Sequence, residues 1–312
     1  MRLRPSLVLL GLLLASGCGA VEPGDTGDEP EERSHEAYAK KTPPLWAKYE
    51  VPAPACGTPT PLVVHHDAAG RVDRLHATLT ARGVTGEFLV DTGSLASFAT
   101  HSGRGEPDKA GVTIACTATS FPIIARLRPG STPDGKPQVG VLGSNLVAHG
   151  EVLDLDLRNG TLFWYQPAPP PPPGAIVVPI ERRRGGWLVA SGIQVGGRAV
   201  KLVVDTGATN IILIDKTPRA GEVKEETVDG TASTITLWHG DGDITFADGL
   251  KRHVPVDRSD DFPTLQGLIA ELGGDVAGLL GMTSLGRDRV VIGRDAMYVV
   301  LPPAARVSPN PL

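Results

Sequence analysis

The sequence is poor in cysteine. It holds 3 in 312 residues and none in a Cys-x-x-Cys pair, so metal and redox sites built on that spacing are excluded. Its 8 histidines form no His-Glu-x-x-His helix motif and no Cys/His ligand spacing, and neither a metal nor a cofactor is expected. An excess of positive charge is also missing. With 30 Lys and Arg against 35 Asp and Glu, a net charge of -5 and no long basic run, binding to a phosphate backbone is excluded as the main purpose, so no nucleic-acid partner is expected. Aromatic side chains make up only 4% of the chain, which leaves few large groups for substrate pockets and points to small or aliphatic preferences. No apolar run reaches the ~20 residues of a transmembrane helix. What abounds is Gly (38) and Pro (28), the composition of many turns between short strands, so an all-β or mostly β fold is expected.

The N-terminus reads as an export signal. Arg2 and Arg4 precede an apolar run from Leu7 to Ala15, too short to span a bilayer but long enough for a signal-peptide core. Leu14-Ala15-Ser16-Gly17-Cys18 resembles the bacterial lipobox, with Ala15 where that motif usually has Leu; the resemblance implies lipidation at Cys18. The expectation is an exported bacterial lipoprotein, membrane-anchored and facing the periplasm or cell surface, with the acidic tract Val21 to Lys41 as a solvated tether. Cys56 and Cys116 are then an even pair in an oxidising compartment, readable as a disulfide or as two unpaired core residues. The cluster His65-His66-Asp67 reads as a solvated strand end, and residues 239–249 as a polar hairpin turn rather than a calcium loop.

The chain carries an internal repeat. Asp91-Thr92-Gly93 and Asp205-Thr206-Gly207 lie 114 residues apart, and their surroundings align at the same offset. Leu62-Val63-Val64 matches Ile176-Val177-Val178, the turn glycine Gly83 matches Gly197 of a turn expected at Gly196-Gly197, and Phe88-Leu89-Val90 matches Leu202-Val203-Val204. Each half then carries an apolar-apolar-Gly triplet, Val141-Leu142-Gly143 and Leu279-Leu280-Gly281, followed by a last strand pair. In the first half Val152, Leu153, Leu155 and Leu157 are expected to bury one side, with a hairpin turn at Asn159-Gly160. Between the halves, residues 167–173 hold six Pro in seven positions, a polyproline spacer of ~22 Å. The expected organisation is a signal peptide over 1–17, a lipid-anchored tether over 18–60, lobes over 61–166 and 175–305, a Pro-rich linker over 167–174, and a tail over 306–312.

With two apolar-Asp-Thr-Gly loops and two apolar-apolar-Gly triplets, residues 61 to 305 resemble an aspartic peptidase of the pepsin and retropepsin type, most like a retropepsin dimer fused into one polypeptide. The resemblance implies two small retropepsin-like β-barrel lobes about a pseudo-twofold axis, a monomer with an internal pseudo-dimer, and an active site between the lobes. It also implies a polypeptide substrate, with Asp91 and Asp205 as the catalytic carboxyls. One takes a proton from water while the other, protonated, polarises the scissile carbonyl. Thr92 and Thr206 would hydrogen-bond across to the opposite loop, and Gly93 and Gly207 would let each loop turn tightly. Leu142, Gly143, Leu280 and Gly281 would support the loops from beneath.

The loops differ at one position. Ser94, as in pepsin-like loops, can donate its hydroxyl to the carboxylate, whereas Ala208 cannot, which makes the aspartates inequivalent. The interval from Asp91 to Gly143 is 52 residues and that from Asp205 to Gly281 is 76, so the longer second half is the better candidate for the closing hairpin of this family, over Thr227 to Asp248, with Trp238 as a lid or an ordinary core aromatic. The rival readings are a lipoprotein that keeps the fold and binds peptides without cutting them, and an envelope structural protein.

Overall fold

A computed structural model of the protein describes residues 59–81, 84–100, 109–114, 117–124, 131–147, 151–165, 171, 175–215, 219–228, 234–286 and 289–300. The signal segment, Cys18, the tether, Cys56, Cys116, most of the Pro-rich linker and the tail lie outside the described residues, as does the turn at Gly83.

The described chain is mostly β. The first half gives β1 (Thr60–His66), β2 (Val72–Ala81), β3 (Val84–Val90), β4 (Phe98–Thr100), β5 (Lys109–Ile114), β6 (Thr117–Ile124), β7 (Gln138–Leu142), β8 (Val152–Asp156) and β9 (Thr161–Tyr165). The second gives β10 (Ile176–Arg182), β11 (Leu188–Val195), β12 (Arg198–Val204), β13 (Ile211–Ile214), β14 (Val223–Val228), β15 (Thr234–Thr245) and β16 (Lys251–Ser259). Helix α1 (Pro263–Glu271), β17 (Val276–Leu280), the single turn α2 (Met282–Leu285), β18 (Arg289–Ile292) and β19 (Ala296–Val300) complete it. Pro263 starts α1, where its fixed φ suits the helix and its missing N–H costs nothing.

The sequence repeat is also a repeat of strand pairings. Strand β3 runs parallel to β7 with Leu89 opposite Val141 and Val90 opposite Leu142; β12 runs parallel to β17 with Val203 opposite Leu279 and Val204 opposite Leu280. Antiparallel β4–β7 recurs as β13–β17, parallel β4–β6 as β13–β16, and antiparallel β2–β3 as β11–β12. The halves join edge to edge through β8 and β18, where Leu155 faces Val290 and Arg289 of one half binds the buried Asp154 of the other, Nε to Oδ1 at 2.7 Å. One core cluster spans both halves, from Leu62 and Phe88 to Leu202, Leu280 and Val299.

Three expectations change. Strand β8 is buried on both sides, Asp154 included, because it is paired with β9 on one edge and β18 on the other. Residues 239–245 are not a turn: they extend β15 against β16, and the turn comes at Phe246–Leu250, closed by Gly249 N–H to the Phe246 carbonyl at 2.9 Å. His66 is exposed at its strand end, but His65 is half-buried and packs edge-on against buried His76, with ring centroids 5.0 Å apart. The turns at Asn159-Gly160 and Gly196-Gly197 form where expected, with φ of 61° at Gly160 and of 58° and 80° at the glycine pair.

The same sheet face is covered differently in the two halves. In the second, α1 lays Leu265 and Leu268 over Val189, Val203, Ile212 and Leu279. In the first, the matching apolar cluster among the described residues is Leu89, Phe98 and Val141, and His76 occupies the place of Val189, since it pairs with Leu89 as Val189 pairs with Val203.

Candidate active site

Strands β3 and β12 deliver the two Asp loops to each other. Each apolar triplet before the Asp is a central strand buried on both faces, so the chain reaches Asp91 and Asp205 with no freedom to slip register. Asp91 N–H donates to the Leu142 carbonyl at 2.9 Å and Asp205 N–H to the Leu280 carbonyl at 3.1 Å, which fixes the role of the two triplets. Gly143 and Gly281 pass tightly over the acid loops: a Cβ on Gly143 would meet the Ser94 carbonyl at 2.7 Å, and one on Gly281 the Ala208 carbonyl at 2.8 Å.

The threonines lock the loops reciprocally. Thr92 N–H donates to Thr206 Oγ1 and Thr206 N–H to Thr92 Oγ1, both at 3.1 Å; Thr92 Oγ1 donates to the Val204 carbonyl and Thr206 Oγ1 to the Val90 carbonyl, both at 2.8 Å. All four bonds are buried, so breaking one strands a partner in the interior.

Both carboxyls are buried, at 0% exposure for Asp91 and 1% for Asp205. Gly93 and Gly207 have ordinary φ; they are glycine because each backs onto the carboxyl of the opposite loop, a reason the sequence reading did not contain. Ser94 differs from expectation as well. Its hydroxyl donates to the Ala96 carbonyl at 2.9 Å and is thereby taken from the carboxylate. The aspartates differ instead in how closely their own loops hold them: Asp205 Oδ1 accepts the N–H groups of Gly207 at 2.9 Å and Ala208 at 3.1 Å, while those of Gly93 and Ser94 act on Asp91 only from looser geometry.

Burial and mutual repulsion push both acids upward. Asp91 lies well above the carboxylate range, first from burial and then from the Asp205 charge. Asp205 is raised by burial but eased down by a hydrogen bond from the Asp91 carboxyl, by the two N–H groups and by the positive charge of Arg74. The two acids titrate as a unit, and the N–H groups on Asp205 favour the ionised form on its side of the pair.

Several polar side chains that no spacing rule predicts complete the surroundings. Asn145 Oδ1 accepts from Ser97 N–H (2.7 Å) and Oγ (2.8 Å), and that hydroxyl accepts from Gly143 N–H (2.9 Å). Thr209 Oγ1 donates to Asp73 of the other half at 2.6 Å, and the charge of neighbouring Arg74 acts on both acids. Asn210 Nδ2 donates to buried Asp257 at 3.0 Å. Polar residues within an apolar stretch after each Asp-Thr-Gly were the only available hint.

Between acid and triplet the first half holds hairpin β5–β6, and the second holds β14–β15 and β15–β16, of which β15–β16 matches β5–β6 in its pairings. Hairpin β14–β15 has its strands at Val223–Val228 and Thr234–His239, earlier than Thr227 to Asp248, and Trp238 on it is half-buried. Among the described residues no group of three metal-ligating side chains occurs. A cavity of about 670 Å³ lined by Gln194, Lys201 and Phe246 touches neither acid and plays no part in this site. Comparison with protein-family models and with curated proteins returns no match.

Proposed function

We propose that this chain is an aspartic endopeptidase, with water activated between Asp91 and Asp205 sharing one proton. The observation that carries this reading is the pair of buried carboxyls, each seated against the glycine of the opposite loop and locked by the crossed threonine bonds. Two acids held in contact away from solvent weaken a fold, and this expense has a use when the pair handles protons.

In the reaction, protonated Asp91 donates to the oxygen of the scissile carbonyl while ionised Asp205 takes a proton from water, whose oxygen attacks the carbonyl carbon. The resulting gem-diol collapses as Asp205 passes its proton to the amide nitrogen, the C–N bond breaks, and Asp91 recovers a proton from a diol hydroxyl. One water is consumed and the pair returns to its starting state. No metal or cofactor enters.

The repeated pairings support reading the halves as two retropepsin-like lobes about a pseudo-twofold axis, in a chain that is its own internal dimer. The substrate is an extended polypeptide. The lipobox-like segment supports a lipid anchor at Cys18 and an exported, membrane-tethered location, and Cys18→Ser should release the protein from the membrane fraction. One observation favours a second reading, a peptide-binding lipoprotein that does not cut. The carboxyls are closed to solvent in this conformation, so a peptide reaches them only after part of the structure moves. Incubating the full chain with a diverse peptide library, with and without a hydroxyethylene transition-state mimic, tests the proposal. Cleavage suppressed by the mimic supports the peptidase, and peptide binding with no cleavage supports the second reading.

A further inference from the structure

Outside the acid pair, a connected polar group joins the Asp205 loop to hairpin β14–β15. His239 sits on β15 directly across from Asp257 on β16, with Nδ1 2.8 Å from Asp257 Oδ1. Its Nε2 lies 3.0 Å from Glu225 Oε2 on β14, at ion-pair distance though not aligned as a hydrogen bond. The other Asp257 oxygen, Oδ2, accepts from Asn210, whose own oxygen accepts from Thr283 Oγ1 at 3.3 Å. Asn210 closes the loop that begins at Asp205. A continuous path, Glu225 to His239 to Asp257 to Asn210, thus runs from the hairpin to the acid loop.

We propose that His239 and Asp257 are positioning residues that couple hairpin β14–β15 to the Asp205 loop, and that the proton on His239 makes or releases the coupling. A protonated ring between two carboxylates is a bridge, whereas a neutral ring can satisfy only one of them. The ionisable groups around it fit this assignment. On β14, Lys224 pairs with Glu226 at 3.5 Å and leaves Glu225 to His239. On β16, Arg258 is engaged by Glu222 at 2.7 Å and Asp215 at 3.1 Å and leaves Asp257 to His239. Asp241 on β15 itself is exposed. The Asp257 hydrogen bond holds the imidazole above its ordinary value against the opposing effect of burial, and the charges of Asp257 and Glu225 add to it. The bridge therefore outlasts the pH at which a free imidazole would lose its proton and is lost as pH rises past the raised value.

The coupling stands independently of cleavage; its consequence for catalysis rests on the peptidase reading. Hydrogen–deuterium exchange on the full chain, corrected for the intrinsic pH dependence of exchange, tests it without any activity. Protection of residues 223–228 and 234–239 should fall about 5-fold or more between pH 6 and pH 9 in the unchanged protein, and should be low and independent of pH in His239→Gln. Asp257→Asn should lower protection at 206–212 as well as in the hairpin. Glu225→Gln, at a half-exposed site that leaves the core intact, should lower it in the hairpin alone. Equal protection at both pH values in the unchanged protein, or an Asp257→Asn variant with 206–212 unaltered, would overturn the proposal. A protein that shows the exchange pattern but cuts no peptide would remove the peptidase reading and leave the coupling.

Discussion

Gly93 stands against the carboxyl of Asp205, and Gly207 stands against that of Asp91. A Cβ on the first would lie 2.5 Å from the Asp205 carboxyl carbon, and one on the second 2.6 Å from that of Asp91. Carboxyl and Cβ cannot share such a space, so Gly93→Ala must displace Asp205 and Gly207→Ala must displace Asp91. Each variant is expected to lose about 10²-fold or more in kcat/KM, since acid-base geometry tolerates little displacement. Steady-state kinetics with circular dichroism on the same samples checks this. An alanine variant with unchanged activity contradicts the seating of the acids.

The threonine lock should behave as a unit. Thr92→Val leaves the Val204 carbonyl and the Thr206 N–H without partners, and a stranded buried polar group costs ~1–3 kcal/mol. Thr206→Val does the same on the other side. The double variant should fall short of the sum, because the four bonds cross the same junction. Denaturant unfolding of the three variants measures the coupling. Thr92→Ser should retain most of the stability, as the hydroxyl remains.

The acid pair should cost stability at neutral pH. Both folded-state values are raised, so the protonated forms are favoured in the native protein, and the stability they bring is full below the unfolded carboxylate value and declines as pH rises. Asp91→Asn removes the charge penalty and should raise Tm at pH 7 while having little effect at low pH. Activity should rise as Asp205 ionises and fall as pH passes the upper apparent value of the pair. Arg74→Gln removes a positive charge that favours both ionised forms, so it should move the whole profile to higher pH. A lower optimum in that variant would contradict the assignment.

His76 is a second pH-dependent element. Neither ring nitrogen has a hydrogen-bond partner of ordinary geometry; burial, followed by the nearby His65, lowers it from 6.5 to about 4 against a loose contact with Gln138, and Arg74 and Asp134 also act on it, in opposite directions. A depressed histidine is neutral in the folded protein while the unfolded chain takes up a proton, so stability should be lost as pH falls from 6.5 towards about 4. His76→Val, which installs the residue of the matching position in the other half, should stabilise the fold and flatten this slope. Thermal unfolding at pH 7 and pH 4.5 reads both effects.

Much of the site was legible because it is written twice. Asp91 and Asp205 with their threonines and glycines recur at one offset, the two triplets recur as a pattern at a different interval, and strand register brings each triplet against its acid loop. The two-residue turn at Gly196-Gly197 was equally readable, since only positive φ closes it. What was hidden depends on pairings across the halves or on which partner takes a hydroxyl. Ser94 could have faced either Asp91 or the Ala96 carbonyl, and only the folded loop decides. Asp257 and His239 have no fixed spacing from Asp205, and the burial of Asp154 follows from Arg289 on a strand 135 residues away.

The central claim, one proton shared by two acids, is tested most directly by the cleavage rates of Asp91→Asn, Asp205→Asn and the double variant on a peptide that the unchanged protein cuts. Each single variant is predicted to lose about 10³-fold or more, with the double variant little worse than either, because removing one partner already ends the proton exchange. Full activity in Asp205→Asn, or losses that simply multiply in the double variant, would contradict it.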